Sequence, residues 1–125
     1  MQKILSVDDS SVIRRIIAGT VEVLGYDTIE ASNGEEALGI LKEKHEEIVL
    51  VLLDWNMPGM NGLELLQQMK ANTRYAQIPV MMVTTESERE NIIRALQAGA
   101  KHYLTKPFTQ QVLAARIMEC LGMGG

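Results

Sequence analysis

The sequence has a single cysteine, Cys120, which excludes an intrachain disulfide framework and any zinc site built from cysteine thiolates. It has no basic excess either: twelve Lys and Arg stand against sixteen Asp and Glu, for a formal charge of −4. Without a basic face to neutralise phosphates, non-specific nucleic-acid binding is excluded. Long apolar runs are missing as well. The longest, Ile48 to Leu53, falls far short of the roughly 20 residues that span a bilayer. The opening stretch, Met1 to Ser10, already carries Asp8 and Asp9 and does not read as a secretory signal. No low-complexity tract, repeat or linker marks an internal boundary. Intrinsic disorder is excluded by the 46 % of hydrophobic residues. One compact, soluble, cytoplasmic domain over residues 1–125 is expected, with neither nucleic acid nor membrane as partner.

Short apolar runs alternate with longer amphipathic ones. Lys3–Val7 predicts a first strand, and Ser10 or Ser11 can N-cap a helix with Val12, Ile13, Ile16, Ile17, Val21 and Leu24 at helical spacing, stopped by Gly25. Tyr26–Ala31 predicts a second strand, and Asn33-Gly34 turns into a helix over about 35–44, where Gly39 costs about 1 kcal/mol relative to Ala. The β-branched and leucine run Ile48–Leu53 has the pattern of a strand buried on both faces. After a loop through Asn56-Met57-Pro58-Gly59 and Asn61-Gly62, a third helix turns Leu63, Leu66 and Met69 inward. Ile78–Thr84, a helix over about 87–98 ending at Gly99, Lys101–Thr105, and a helix from about Thr109 to Leu121 complete the pattern, with Gly122 at the helix C′ position. Strands and helices in alternation predict an α/β fold: a doubly wound, five-stranded parallel sheet flanked by five helices.

Ligands of such sheets bind at the carboxyl ends of the strands. Those ends carry Asp8 and Asp9 after the first strand, Asp54 after the third, Thr84 after the fourth and Lys106 after the fifth. Carboxylates about 5 Å apart repel by about 3 kcal/mol per pair at an effective dielectric of 20. Core packing does not require that arrangement, and a hard divalent cation relieves it. Mg²⁺ in particular takes a few carboxylates together with water and phosphate oxygens. A glycine-rich phosphate loop is missing after the first strand, and the paired aspartates there would repel a bound nucleotide. His45, His102 and Cys120 lie off this rim, which argues against a serine or cysteine hydrolase. An aspartate can itself accept a phosphoryl group as an acyl phosphate. A metal and Lys106 would neutralise the phosphoryl oxygens, and the Thr84 hydroxyl could hydrogen-bond one of them.

Taken together, Asp8-Asp9, the segment Leu53-Asp54-Trp55-Asn56-Met57-Pro58-Gly59-Met60-Asn61-Gly62, Thr84 and Tyr103-Leu104-Thr105-Lys106-Pro107 resemble the receiver domains of two-component response regulators. Within that family the chain is most similar to the single-domain chemotaxis regulators, and the resemblance covers nearly its whole length. It implies a flavodoxin-like fold of strand order 2-1-3-4-5 and a cis Lys106-Pro107 bond. It also implies Asp54 as phosphoryl acceptor and Mg²⁺ as cofactor, with Asp9 a direct ligand, Asp8 holding the metal through water, and Asp54 and the Asn56 carbonyl completing the set. Thr84 and Lys106 would contact the phosphoryl group, Tyr103 would be the aromatic switch beside Thr84, and Asn56 and Glu86 would tune dephosphorylation. Asn61 departs from the aspartate that many receivers have before the glycine. It lies off the rim in a good turn pair, so little consequence is expected.

The function this implies is a switch, not an enzyme. A histidine kinase donates the phosphoryl group, and phosphorylation strengthens binding of an output protein, such as a flagellar motor switch component, on the face of helix 4, strand 5 and helix 5. Charge supports two working surfaces: residues 1–87 sum to −6 and residues 88–125 to +2, with Arg89, Arg94, Lys101 and Arg116 available to an acidic partner. The sequence stops at Gly122-Met123-Gly124-Gly125, just after the last helix, so no appended effector domain is expected. A phosphorelay intermediate and a receiver excised from a larger regulator are the alternatives. A phosphatase working through an aspartyl-phosphate is disfavoured, because such enzymes place an acid/base aspartate two residues after the nucleophile and this chain has Asn56 there.

Overall fold

In the β-branched and leucine run Ile48–Leu53, alternate side chains enter two different cores, and the rest of the architecture follows from that strand. The computed structural model describes residues 2–122. In chain order the elements are β1 (Lys3–Val7), α1 (Ser11–Val23), β2 (Asp27–Ala31), α2 (Gly34–Lys44), a single 3₁₀ turn (His45–Glu47), β3 (Ile48–Leu53), α3 (Gly62–Ala71), β4 (Val80–Thr84), α4 (Arg89–Gln97), β5 (His102–Thr105) and α5 (Gln110–Cys120). The strands form one parallel sheet in the order β2-β1-β3-β4-β5. Val51 and Leu53 of β3 join Leu5, Val7, Val80 and Met82 under Ala37, Leu41, Leu65, Leu66, Met69 and Ala95 of α2, α3 and α4. Leu50 and Leu52 point the other way and meet Ile4, Met81 and Val83 under Ile17, Val21, Leu113 and Ile117 of α1 and α5. Among the described residues no helix is long and apolar enough to cross a membrane.

Caps follow the expected chemistry. Ser10, Asn33 and Thr109 each accept from an N–H in the first turn of α1, α2 and α5, and Asn61 with Glu64 forms a reciprocal capping box on α3. Gly39 does not interrupt α2. It stands on the exposed side, where an added Cβ would meet nothing within 4 Å, while Ala37 and Leu41 anchor the other side. The Lys106-Pro107 bond is cis, and Gly122 has φ +71° at the end of α5. Residues 123–125, the end of the expected terminus, lie outside the described residues.

Several expectations need correction. Val12 and Ile16 do not face the core: they are 64 % and 40 % exposed, about 100° around the helix from Ile13 and Ile17, which carry the packed stripe with Thr20, Val21 and Leu24. Tyr26 is not in β2, because its N–H still bonds the Val21 carbonyl at the end of α1, where Gly25 has φ +90°. Ile78 and Pro79 precede β4, Ile78 closing a turn onto the Tyr75 carbonyl. Helix α4 begins at Arg89, and β5 at His102.

Gly62, the first residue of α3, is where the loop after β3 folds back on the strand end. Its N–H donates to the Trp55 carbonyl at 2.8 Å, and a Cβ there would lie 2.2 Å from the backbone oxygen of Asp54. Because that neighbour is backbone, the Gly62→Ala variant is expected to lose about 1–3 kcal/mol. In a domain of this size that lowers Tm by roughly 4–12 °C. A thermal melt within a degree of the parent would show that the loop has room to spare.

Candidate functional site

Three of the strands that reach the rim, β1, β3 and β5, are each prolonged by one ladder hydrogen bond, and that bond fixes the residue beyond it. The Asp8 N–H donates to the Ala31 carbonyl at 3.0 Å, Asp54 N–H to Val7 at 2.9 Å, and Lys106 N–H to Thr84 at 2.9 Å. Asp8, Asp54 and Lys106 are thereby set on backbone that cannot shift without breaking the sheet.

Asp8 is 2 % exposed and Asp54 6 %, while Asp9 is open to solvent. One carboxylate oxygen from each of the three lies within 4.8 Å of the others. The Lys106 ammonium enters between two of them, donating to Asp8 Oδ2 at 2.7 Å and to Asp54 Oδ2 at 3.4 Å. The other oxygens are met by backbone: Asp8 Oδ1 accepts from Ser10 N–H at 2.9 Å, and Asp54 Oδ1 from Asn56 N–H at 3.3 Å. Three carboxylates against one ammonium leave a formal −2, with every candidate donor an oxygen. Those are the terms on which a hard divalent cation binds, so the residues fit one. Beside Asp9 opens a cleft of about 470 Å³ between residues 32–35 at the start of α2 and residues 58–60 of the loop after β3.

Thr84 is fully buried at the end of β4, and its Oγ1 accepts from the Glu86 N–H at 3.2 Å. The Tyr103 hydroxyl donates to the Glu86 carbonyl, so the half-buried ring is already docked against the loop after β4. Burial, then the negative charges of Glu86 and Asp54, push the Tyr103 phenol up to about 12. Asn56 is exposed at the mouth of the site, and Trp55 packs into the core below it.

His45, His102 and Cys120 take no part in this rim. His45 Nδ1 faces the Leu41 carbonyl at 3.1 Å and its ring meets Tyr75 edge-on, while His102 lies 3.6 Å from Glu119. Cys120 is buried, and burial pushes its thiol up to about 11. Arg14 was not singled out by motif reasoning, yet its guanidinium holds the Asp8 carbonyl and pairs with Glu30 at 2.9 Å. Its only signal in the sequence is its place one turn after the Ser10 cap.

Residues 4–118 match the response regulator receiver domain family. The chain is 47 % identical over 123 residues to a chemotaxis protein CheY homolog of Campylobacter jejuni, covering 98 % of this chain and 94 % of that one. It is 47 % identical over 116 residues to the chemotaxis protein CheY of Pseudomonas aeruginosa, covering 92 % of each. Among solved structures, it is similar to the chemotaxis protein CheY4 of Vibrio cholerae, with a TM-score of 0.89 at 32 % identity over 97 % of this chain and 99 % of that one. The CheX-CheY-BeF3-Mg complex of Borrelia burgdorferi is also similar, with a TM-score of 0.89 at 27 % identity, over 94 % and 87 % of the respective chains.

The Tyr103 environment gives a pH prediction. Near pH 10 the unfolded chain ionises this phenol while the folded one keeps its proton. Native stability therefore falls as pH rises from about 10 toward about 12. A phenolate absorbance titration of the native protein is expected to show a step near pH 12 that Tyr103→Phe removes. Loss of that step's amplitude near pH 10 instead would contradict the docked ring.

Proposed function

This chain belongs to the response regulator receiver family, and we propose that it is a phosphorylation-driven chemotaxis switch, with residues 1–125 as one receiver domain working in the cytoplasm beside its kinase. Asp54 is the acceptor. The observation that carries this reading is the Lys106 ammonium shared between Asp8 and Asp54 at the mouth of a cluster of formal charge −2. In the transfer, an Asp54 oxygen bonds to the phosphorus of a phosphohistidine as the nitrogen–phosphorus bond breaks, and the ring nitrogen keeps the electron pair. Lys106 can follow the charge from the carboxylate onto the phosphoryl oxygens without leaving the rim. The Thr84 hydroxyl can donate its hydrogen to one of those oxygens while Oγ1 still accepts from Glu86 N–H.

Asp8, Asp9, Asp54 and the Asn56 carbonyl would hold Mg²⁺. When bound, it supplies the positive charge that lets a carboxylate and a phosphoryl group approach. Asn56 and Glu86, polar and near the rim, tune how long the phosphoryl group lasts. A switch, not a phosphatase, is the reading that Asn56 supports, since its amide cannot act as a general acid.

A protein donor is favoured by the apolar strip beside Lys106, made by Ile13, Ile16, Pro107 and Phe108. The output surface is the face of α4, β5 and α5, where Ile93 and Leu96 are exposed. Of its cations, Lys101 reaches the Cys120 carbonyl, Arg116 pairs with Glu119 and Arg94 touches Asn91, while Arg89 is exposed beside them. An acidic segment of a flagellar motor switch component fits that surface, with Tyr103 relaying the state of Thr84 to it.

Two outcomes test this. Millimolar Mg²⁺ is expected to raise Tm by mass action, and Asp54→Asn to raise the Tm of the metal-free protein while shrinking the metal-dependent rise. Melts indifferent to metal would remove the cation site. With Mg²⁺ present, a small acyl-phosphate donor is expected to add one phosphoryl group and change the emission of Trp55, which directly follows the acceptor, and Asp54→Ala should abolish both. A phosphorylated form that persists for hours would favour the relay reading over the chemotaxis switch.

A further inference from the structure

The Asp8–Asp9 peptide carries two of the three carboxylates of the rim, and the polar groups of Asp8 are all committed. Its N–H is in the ladder with β2, its Oδ1 takes the Ser10 N–H, and its Oδ2 takes the Lys106 ammonium. Its carbonyl accepts from Nη1 of Arg14, in the first turn of α1. The same guanidinium donates through Nε to Glu30 Oε1 on β2 at 2.9 Å. The Arg14 side chain is only 16 % exposed, so it is packed in place between the helix and the sheet. A guanidinium is a planar fork, and two acceptors taken by Nε and Nη1 fix its direction as well as its place. A peptide group is planar too, so holding the Asp8 carbonyl sets the Asp9 N–H and Cα in the same plane. The Asp9 side chain is exposed and makes no hydrogen bond among the described residues. Its direction comes from the backbone that carries it. Arg14 and Glu30 cancel in charge, so the pair shapes the site without changing its formal −2.

We propose that Arg14 is a positioning residue for the cation: with Glu30 as its stop, it holds the plane of the Asp8–Asp9 peptide and thereby aims the Asp9 carboxylate at the point where Asp8 and Asp54 converge. It bonds to no carboxylate of the cluster. The role rests on those three carboxylates holding a divalent cation. Charge and geometry predict opposite signs here. A guanidinium repels a cation, so an Arg14 that acted only through its charge would, when removed, leave metal binding tighter. An Arg14 that holds the peptide would leave it weaker, because partners behind metal ligands typically set about one to two orders of magnitude of affinity. Glu30 acts through Arg14, so its loss matters only while Arg14 is present.

Mg²⁺ alone, titrated into the metal-free protein and read by the rise in Tm and by the amide shift of Asp9, tests the sign. Arg14→Lys, which keeps the charge and loses the fork, is expected to weaken binding roughly tenfold, and Arg14→Ala to weaken it as well. Arg15→Ala removes the same charge from the exposed neighbouring position and should leave affinity unchanged or slightly tighter. Glu30→Ala should weaken binding in the parent but add nothing to Arg14→Ala, as for two groups that act as one. Tighter binding in Arg14→Ala, or parent-like binding in Arg14→Lys, overturns the positioning role. So does a Glu30 effect that survives without Arg14. Amide exchange of the metal-free protein reads the clamp directly. The Ser10 N–H, held by Asp8 Oδ1, should exchange roughly fivefold faster in both Arg14 variants, the scale of one lost hydrogen bond. Unchanged exchange there would show that the peptide keeps its plane without Arg14. A parent protein that binds no Mg²⁺ would remove the cation site and the positioning role together, with the exchange data still deciding the clamp.

Discussion

The Lys106 ammonium is the group on which the rim depends. It bridges carboxylates 52 and 98 positions away in the chain, at 3.4 Å from Asp54 and 2.7 Å from Asp8. Without it, the two buried aspartates would face each other in a medium where like charges at this distance cost about 3 kcal/mol. With it, the cluster keeps a residual negative charge, and that charge is what makes its residues fit a cation. The bridge also ties the end of β1 to the segment after β5, two strands that do not neighbour each other in the sheet. It closes the carboxyl edge electrostatically where the hydrogen-bond ladder cannot.

Much of this was legible in the chain because parallel-sheet chemistry is local in its signals. An aliphatic run ended by a charged residue marks a buried strand and its tip on the rim at once, and Val7-Asp8 and Leu53-Asp54 have that form, whereas His102–Thr105 before Lys106 is only partly buried. Bounds were less legible where backbone groups are claimed by neighbouring turns. Tyr26 has a strand-like side chain, yet its N–H belongs to the end of α1, and Ile78 is apolar, yet it closes a turn. Val12 and Ile16 fit a helical period as well as Ile13 and Ile17 do. Periodicity alone does not say which of two adjacent stripes meets the sheet.

At the site, residue types announced the carboxylates, the hydroxyl and the ammonium, but not the second layer that orients them. Arg14 on the Asp8 carbonyl and the backbone bonds of Glu86 to Thr84 and Tyr103 depend on which backbone atoms the fold brings near. Backbone acceptors have no letter in a sequence. The close approach of Gly62 to Asp54 is a similar case: a glycine in a loop has many explanations, and only the packed loop selects one of them.

The 98 positions between Asp8 and Lys106 also have a consequence during synthesis. A ribosome adding about 5–20 residues per second makes Asp8 and Asp9 some 5–20 s before the ammonium that balances the cluster. For the last 52 of those positions, about 3–10 s, the nascent chain has Asp54 but not the edge of the sheet that faces it, because β5 and the residue after it are still missing. The bridged rim therefore appears late and all at once, as the last crossover docks. Unfinished copies therefore carry the carboxylates of the rim without the ammonium that bridges them.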